Sequence, residues 1–250
     1  MSSKNLSINI LILAVGKLEL KEVPGNLPVC LAEIFGMSVL ERILEKTAKI
    51  ENANFTFVFL EDDSQKFHLS KIADILKPQS SSIVVPDKTK GSLCTSLLAA
   101  CNLKQSSELL IVSANELVNI DLDAVVKDFR YKALDAGTII FKSIQPMYSY
   151  VRLDDENIVH EAAQKRPISQ DATAGIFWFS KTSDFINGAK SMIKKDCVVD
   201  GSFYIAPVFN ELILRGHTVG VYRLGSENYI PLKTNEQLQR YISNTSTDLC

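Results

Sequence analysis

The side chains best suited to chemistry lie where apolar runs end. Gly16-Lys17 follows the run Ile8 to Val15. A glycine at a strand end lets the backbone approach an anion, and Lys17 adds positive charge, so the pair suits phosphate; a plain turn explains it as well. Thr89-Lys90-Gly91-Ser92-Leu93-Cys94-Thr95 sets a glycine among hydroxyls at a helix start. Free N–H groups and the helix dipole there attract a phosphate or a polar base edge, which makes Gly91, Ser92 and Thr95 nucleotide-binding candidates; an ordinary capped helix is the alternative. Asn115-Glu116 follows the run Leu109 to Ser113. A carboxylate at Glu116 could hold Mg2+, which usually takes one or two protein carboxylates plus phosphate oxygens, or it could be a solvated loop acid. Asp200, before Gly201, is a second candidate ligand or a helix-start acid. Lys165, beside Arg166, ends a strand that starts near Ile158, where a cation could clamp a substrate phosphate or simply sit at the surface.

Other chemistries find less support. His68, His160 and His217 are scattered without ligand spacing, so no zinc is expected. The five cysteines are odd in number and include no C-x-x-C pair, which argues against a disulfide framework and for a reducing, cytosolic compartment. Cys94 and Cys101, seven apart on one apolar helix face, are expected in the core, as is Trp178 between Phe177 and Phe179. With 27 basic and 29 acidic residues the formal net charge is −2, so no global field favours nucleic acid or an anionic membrane.

The scaffold that must position these residues reads as α/β. At 250 residues, 46% apolar and 22% charged, the chain can bury one continuous core, and a single domain is expected. Ile8 to Val15 is a strand covered on both faces, too short for a membrane span and interrupted by Asn9. Ser38 and Glu41 have capping-box spacing, which predicts a helix over Ser38 to Ile50. Phe55 to Leu60, Ser82 to Pro86 and Leu109 to Ser113 read as further strands, alternating with a helix that runs to Leu76 and one opened by Gly91. Such alternation implies right-handed crossovers and a mainly parallel sheet. After Thr138 the strands Thr138 to Ser143, Ser149 to Leu153, Ile158 to Ala163 and Ala174 to Phe179 follow at short intervals, with Asp154-Asp155-Glu156-Asn157 as a hairpin turn. Helices are predicted at Thr182 to Lys195 and Phe203 to Leu214, a strand at Thr218 to Leu224, and a last helix from Thr234, whose spacing to Gln237 makes another capping box.

Together these segments resemble the sugar-phosphate nucleotidyltransferases, which join a nucleoside triphosphate to a phosphorylated sugar or related small molecule. The likeness covers nearly the whole chain. It is most specific in Ser149-Tyr-Val-Arg-Leu-Asp-Asp-Glu-Asn-Ile-Val-His-Glu-Ala-Ala-Gln-Lys165, Pro167-Ile-Ser169 and Ala174-Gly-Ile-Phe-Trp-Phe179. Phe203-Tyr-Ile-Ala-Pro-Val-Phe-Asn-Glu-Leu-Ile213 and the closing helix are similar to segments of bacterial members linked to capsule and surface-sugar synthesis. The resemblance implies a Rossmann-like three-layer α/β/α fold of the glycosyltransferase A-like type, with a nucleotide-binding half over 1–135 and a sugar-phosphate-binding half over 136–250. By the same resemblance Gly16 and Lys17 bind triphosphate, Gly91 and its neighbours cradle the nucleotide, and Asn115, Gly175 and Lys165 bind the sugar phosphate. Lys17 and Lys165 are then the catalytic candidates, and Glu116 and Asp200 the ligands of a Mg2+ cofactor. The implied reaction is attack of a phosphate oxygen on the α-phosphorus with release of pyrophosphate, driven by positioning and charge neutralisation.

Several positions depart from that pattern. The family's G-x-G-x-R loop and later Pro-Lys read Gly16-Lys17-Leu18-Glu19-Leu20 and Pro28-Val29. Its metal aspartate falls at Asn115, its Glu-Lys pair at Gln164-Lys165, and its Gly-Thr-Pro at Lys233-Thr234-Asn235. Lys17, Lys21 or Glu116 are the nearby groups that would have to substitute. Three functions therefore stand beside one another: a divergent nucleotidyltransferase taking a nucleoside triphosphate and a phosphorylated small molecule, a catalytically silent binding relative, and a glycosyltransferase of related architecture. The last would want an Asp-x-Asp motif; Asp121-Leu-Asp123 has the spacing but sits where a helix cap is expected. Nucleic-acid and membrane partners are not expected, and assembly into a homo-oligomer is left open.

Overall fold

The computed structural model describes residues 7–18 and 27–247; Glu19, Leu20, Lys21, Pro24 and Gly25 lie outside the described residues. Strand β1 (Ile8–Ala14) is buried throughout because the sheet is covered on both faces. Ile8, Ile10, Ile12 and Ala14 enter one apolar cluster while Leu11 and Leu13 enter the other, as the two-residue period of a strand dictates. Asn9 is tolerated inside this run because its amide donates to the Lys104 carbonyl at 3.1 Å and the Thr182 hydroxyl at 3.0 Å.

Strands β2 (Ala53–Leu60), β3 (Ser81–Val85) and β4 (Glu108–Ser113) extend the sheet in parallel, β4 and β2 flanking β1 and β3 lying outside β2. The first crossover carries helix α1 (Val39–Thr47), entered through the expected capping box: Ser38 Oγ accepts from the Glu41 N–H at 3.2 Å, and the Glu41 carboxylate accepts from the Ser38 N–H at 2.7 Å. The helix expected to run to Leu76 is two, α2 (Glu61–Phe67) and α3 (Leu69–Leu76), because His68 adopts a left-handed conformation at φ 54°. Helix α4 (Ser92–Ala100) follows β3. It buries Leu93, Ser96, Ala99 and Ala100, leaving Cys94 half-buried and Cys101 exposed, so the predicted core placement of these two cysteines is corrected.

A short strand β5 (Glu116–Val118) and helix α5 (Leu122–Tyr131) close the first half. The second half supplies β6 (Ala136–Lys142), β7 (Ser149–Leu153), β8 (Val159–Gln164) and β9 (Asp171–Phe179), with Asp154 Oδ1 accepting from the Glu156 and Ile158 N–H groups to make the predicted hairpin turn between β7 and β8. Strand β9 runs antiparallel between β4 and β6 and so welds the halves into one nine-stranded sheet, in the order β8-β7-β9-β4-β1-β2-β3 with β6 on the other side of β9. Helix α6 (Thr182–Lys194), helix α7 (Val208–Ile213) and strand β10 (Val219–Arg223), which pairs parallel with β6, follow. Helix α7 is shorter than the predicted Phe203 to Leu214. Residue Phe203 instead bonds the start of α4, donating to the Lys90 carbonyl at 2.8 Å and accepting from the Leu93 N–H at 3.2 Å. Strand β11 (Tyr229–Pro231) pairs with β5 in a two-stranded ribbon that the sequence reading did not contain, and α8 (Asn235–Thr247) ends the described chain.

Residues of α1, α3 and α5 pack on one face of the sheet and residues of α4, α6 and α7 on the other. The expected three-layer α/β/α arrangement on a mixed sheet is therefore present, parallel through the first half and antiparallel where the second joins it.

Candidate functional site

Strands β1 and β4 end side by side, and the Ala114 N–H donates to the Leu13 carbonyl at 3.0 Å, so the loops after both strands start from one point. A cleft of about 280 Å³ opens there, beyond the carboxyl ends of the parallel strands, where open α/β sheets place ligands. Five expected residues line it: Ser92 at the start of α4, Asn115 and Glu116 after β4, Lys165 after β8, and Gly175 in β9. Gly16 stands directly behind Asn115, and any Cβ on it would collide with the Asn115 carboxamide. Gly91, at φ 98°, has no room for a Cβ against the Phe203 backbone. Thr95 is buried below, its hydroxyl bonded to that of Thr89 at 2.7 Å, and holds the loop rather than facing the cleft.

Lys17 and Asp200 are not brought into the cleft. The Lys17 ammonium lies 3.2 Å from Asp63 and 3.9 Å from Asp87, and is spent on them. Asp200 is mostly exposed and lies 3.0 Å from Lys165 Nζ, on an adjoining groove that also takes in Arg166. The hydrogen bond that Lys165 donates to Asp200, with a further one to the Tyr204 hydroxyl, raises its pKa, which keeps it cationic. Asp121 caps α5 by accepting from the Asp123 N–H at 3.1 Å and pairs with Lys49; neither acid of the Asp-x-Asp spacing lines the cleft.

The ribbon of β5 and β11 builds the cleft floor. Its register sets Pro231 opposite Glu116 and leaves Tyr229 and Lys233 on either side of that carboxylate. The Tyr229 hydroxyl donates to Glu116, and Lys233 Nζ lies 3.7 Å from the same carboxylate and 5.0 Å above the Tyr148 ring. Burial, reinforced by the Glu116 charge, pushes the Tyr229 pKa well above its ordinary value, so its hydroxyl stays a donor. The Tyr148 hydroxyl is raised by the same two causes in the same order. Rings of Phe141, Tyr148 and Tyr229 pack on one another and fix this wall. Lys233, Tyr229 and Tyr148 were not among the predicted site residues; only the lysine had left a trace, as the residue standing where the resembled family has glycine.

The side chains present do not fit a resident Mg2+. Asn115 offers a neutral amide whose Oδ1 is buried without a hydrogen-bond partner. Glu116 already faces an ammonium and a hydroxyl, and Asp200 is turned to Lys165. Among the described residues no three of His, Cys, Asp and Glu converge. An ammonium beside the cleft's one carboxylate repels a second cation at the same oxygens.

The layered mixed sheet, with its cleft beyond the carboxyl ends of the parallel strands, is a fold that solved nucleotidyltransferases share. The chain is similar in structure to the nucleoside-diphosphate-sugar pyrophosphorylase of Vibrio cholerae, at 16% identity and TM-score 0.76, over 93% of this chain and 99% of that one. It is likewise similar to a Bacillus anthracis protein described as a glucose-1-phosphate thymidylyltransferase, solved with sucrose (13%, TM-score 0.74, 95% and 94%), and to the inositol-1-phosphate CTP transferase of T. maritima (15%, TM-score 0.68, 94% of each). At these identities the likeness is one of fold. No protein-family model and no curated protein matches the sequence.

Proposed function

We propose that the chain is a catalytically silent relative of the nucleotidyltransferases, which binds a nucleotide or a phosphorylated sugar in its cleft without transferring a nucleotidyl group. The observation that carries this reading is the state of the acids: Asn115 is an amide, Glu116 is matched by Lys233, and Asp200 is matched by Lys165. Losing a cation beside a pentavalent phosphorus typically costs several kcal/mol of transition-state stabilisation, and Lys17 is tied to Asp63 and Asp87 rather than free to compensate. What remains is an anion site. Lys165 and Lys233 stand on two walls of the cleft, and the start of α4 at Ser92 forms part of the lining. A cytoplasmic setting rests on the cysteine pattern, and a place in surface-sugar synthesis on the resemblance of Phe203 to Ile213; among the described residues no helix is long and apolar enough to cross a membrane.

Nucleotidyl transfer is the second reading, favoured by Lys165, which reaches the cleft from the end of β8 where a substrate phosphate would be clamped. One experiment separates them. Purified protein is incubated with each nucleoside triphosphate, Mg2+ and a panel of phosphorylated sugars, while pyrophosphate release and melting temperature are followed together. A ligand-induced rise in melting temperature without pyrophosphate is expected; multiple-turnover pyrophosphate release overturns the silent reading.

A further inference from the structure

We infer that Lys233 is a built-in cation of the cleft, which takes the phosphoryl group that a divalent ion would otherwise hold, so that a sugar phosphate binds without metal. This rests on the proposal that the cleft is a phosphate site. The position of Lys233 is built rather than incidental. The Leu232 N–H donates to the Asn115 carbonyl at 2.9 Å, and the Lys233 N–H donates to Gln237 Oε1 at 2.9 Å, so the backbone is tied on one side to the loop after β4 and on the other to the first turn of α8. Its side chain is aimed along the Tyr148 ring toward the carboxylate of Glu116, itself buried and held by Tyr229.

At 3.7 Å the Lys233 and Glu116 contact is an ion pair rather than a hydrogen bond. A lysine ammonium carries three donors, so donors remain for a ligand while the carboxylate holds the charge in place. The neutral polar lining from Ser113, Asn115 and Gln164 suits a ligand that brings hydroxyl groups together with its anion. A phosphorylated sugar has both groups. One ammonium brings a single charge and no fixed coordination geometry, which suffices to bind a phosphate yet gives less to a transition state than Mg2+ would. The departure from glycine at 233 and the neutral amide at 115 are then two parts of one exchange, metal for lysine.

The test is isothermal titration of glucose 1-phosphate and of UTP into the full chain, in EDTA and again in excess Mg2+, for the wild type, Lys233→Met, Lys233→Arg and Lys165→Met. The wild type is expected to bind glucose 1-phosphate equally in EDTA and Mg2+. Lys233→Met, which keeps the stem over Tyr148 but removes the charge, should weaken binding about 10- to 100-fold, as for loss of a charge-assisted hydrogen bond. Lys233→Arg keeps the charge and should stay much closer to the wild type, which separates a charge effect from a folding defect, as does the melting temperature of each variant. Binding by Lys233→Met at wild-type affinity, or wild-type binding that requires Mg2+, overturns the inference alone and leaves the phosphate site standing. No binding of either compound by the wild type overturns the phosphate site itself and the inference with it.

Discussion

Gly175 sits at φ 62° with the Glu116 carboxylate against the side where a Cβ would stand. Alanine there would take a strained left-handed conformation and press on a buried acid at once, so Gly175→Ala should cost roughly 1–3 kcal/mol of stability and perturb ligand binding together, read by urea denaturation and titration. Tyr229 makes the second prediction at this scale. Its hydroxyl supplies a donor to the buried carboxylate, and Tyr229→Phe should destabilise by about 1–3 kcal/mol near neutrality. The native state holds the Tyr229 proton more tightly than the unfolded chain does. That contribution is full below the ordinary tyrosine value of about 10 and is lost as pH rises through the raised native value. Urea midpoints should therefore fall more steeply above pH 10 for the wild type than for Tyr229→Phe. Of these residues Glu116 was legible because it follows a strand end, and Gly175 only through the family resemblance. Tyr229 was hidden because its partner lies 113 residues away, and no local pattern encodes a pairing of that span.

The elements show where local pattern suffices and where packing overrides it. Both predicted capping boxes form, at Ser38 and Thr234, since their geometry is set within four residues. The shortening of α7 could not be read the same way, because the backbone of Phe203 answers to α4 and not to its neighbours in sequence. What α7 does instead is guard a sheet edge. Strand β8 is terminal, and the Asn210 amide meets it as a strand would, accepting from the Ala162 N–H and donating to the Ala162 carbonyl, each at 2.8 Å. Asn210→Ala should lose about 1–3 kcal/mol in urea denaturation, through two backbone groups left without partners. The next residue ties α7 to α6: burial raises the pKa of Glu211, but hydrogen bonds from Lys195 and Ser191 outweigh it and hold the carboxyl below its ordinary value. The stability this gives is present above the unfolded value of about 4.3 and lost as pH falls through the native one. The melting temperature of Glu211→Gln should lie below the wild type at pH 7, and the difference should shrink toward pH 3.

At the scale of the whole molecule, alternating strands and helices made the layered fold legible, yet the joint between the halves was not, because the pairing of β9 with β4 is antiparallel and spans the chain. That joint governs how the molecule unfolds. Ile176 to Phe179 pair with Leu109 to Val112, and each apolar cluster draws on both halves: Ile10 and Phe57 share one with Trp178 and Leu224, Leu11 and Val58 the other with Phe209 and Val221. Neither half can close its core alone, so we propose one cooperative unit in place of two folding halves. The only tryptophan reports on the junction, since Trp178 pairs with Leu110 on one side and Gly137 on the other and packs its ring 5.6 Å from that of Phe129. Its fluorescence and the far-UV circular dichroism, which averages all the helices, should therefore trace coincident urea transitions; separated midpoints would mean that the halves unfold independently. A ligand bridging Lys165 from the second half and Asn115 from the first should raise both midpoints equally, in line with a gain of about 2.7 kcal/mol in unfolding free energy at a hundredfold excess over Kd.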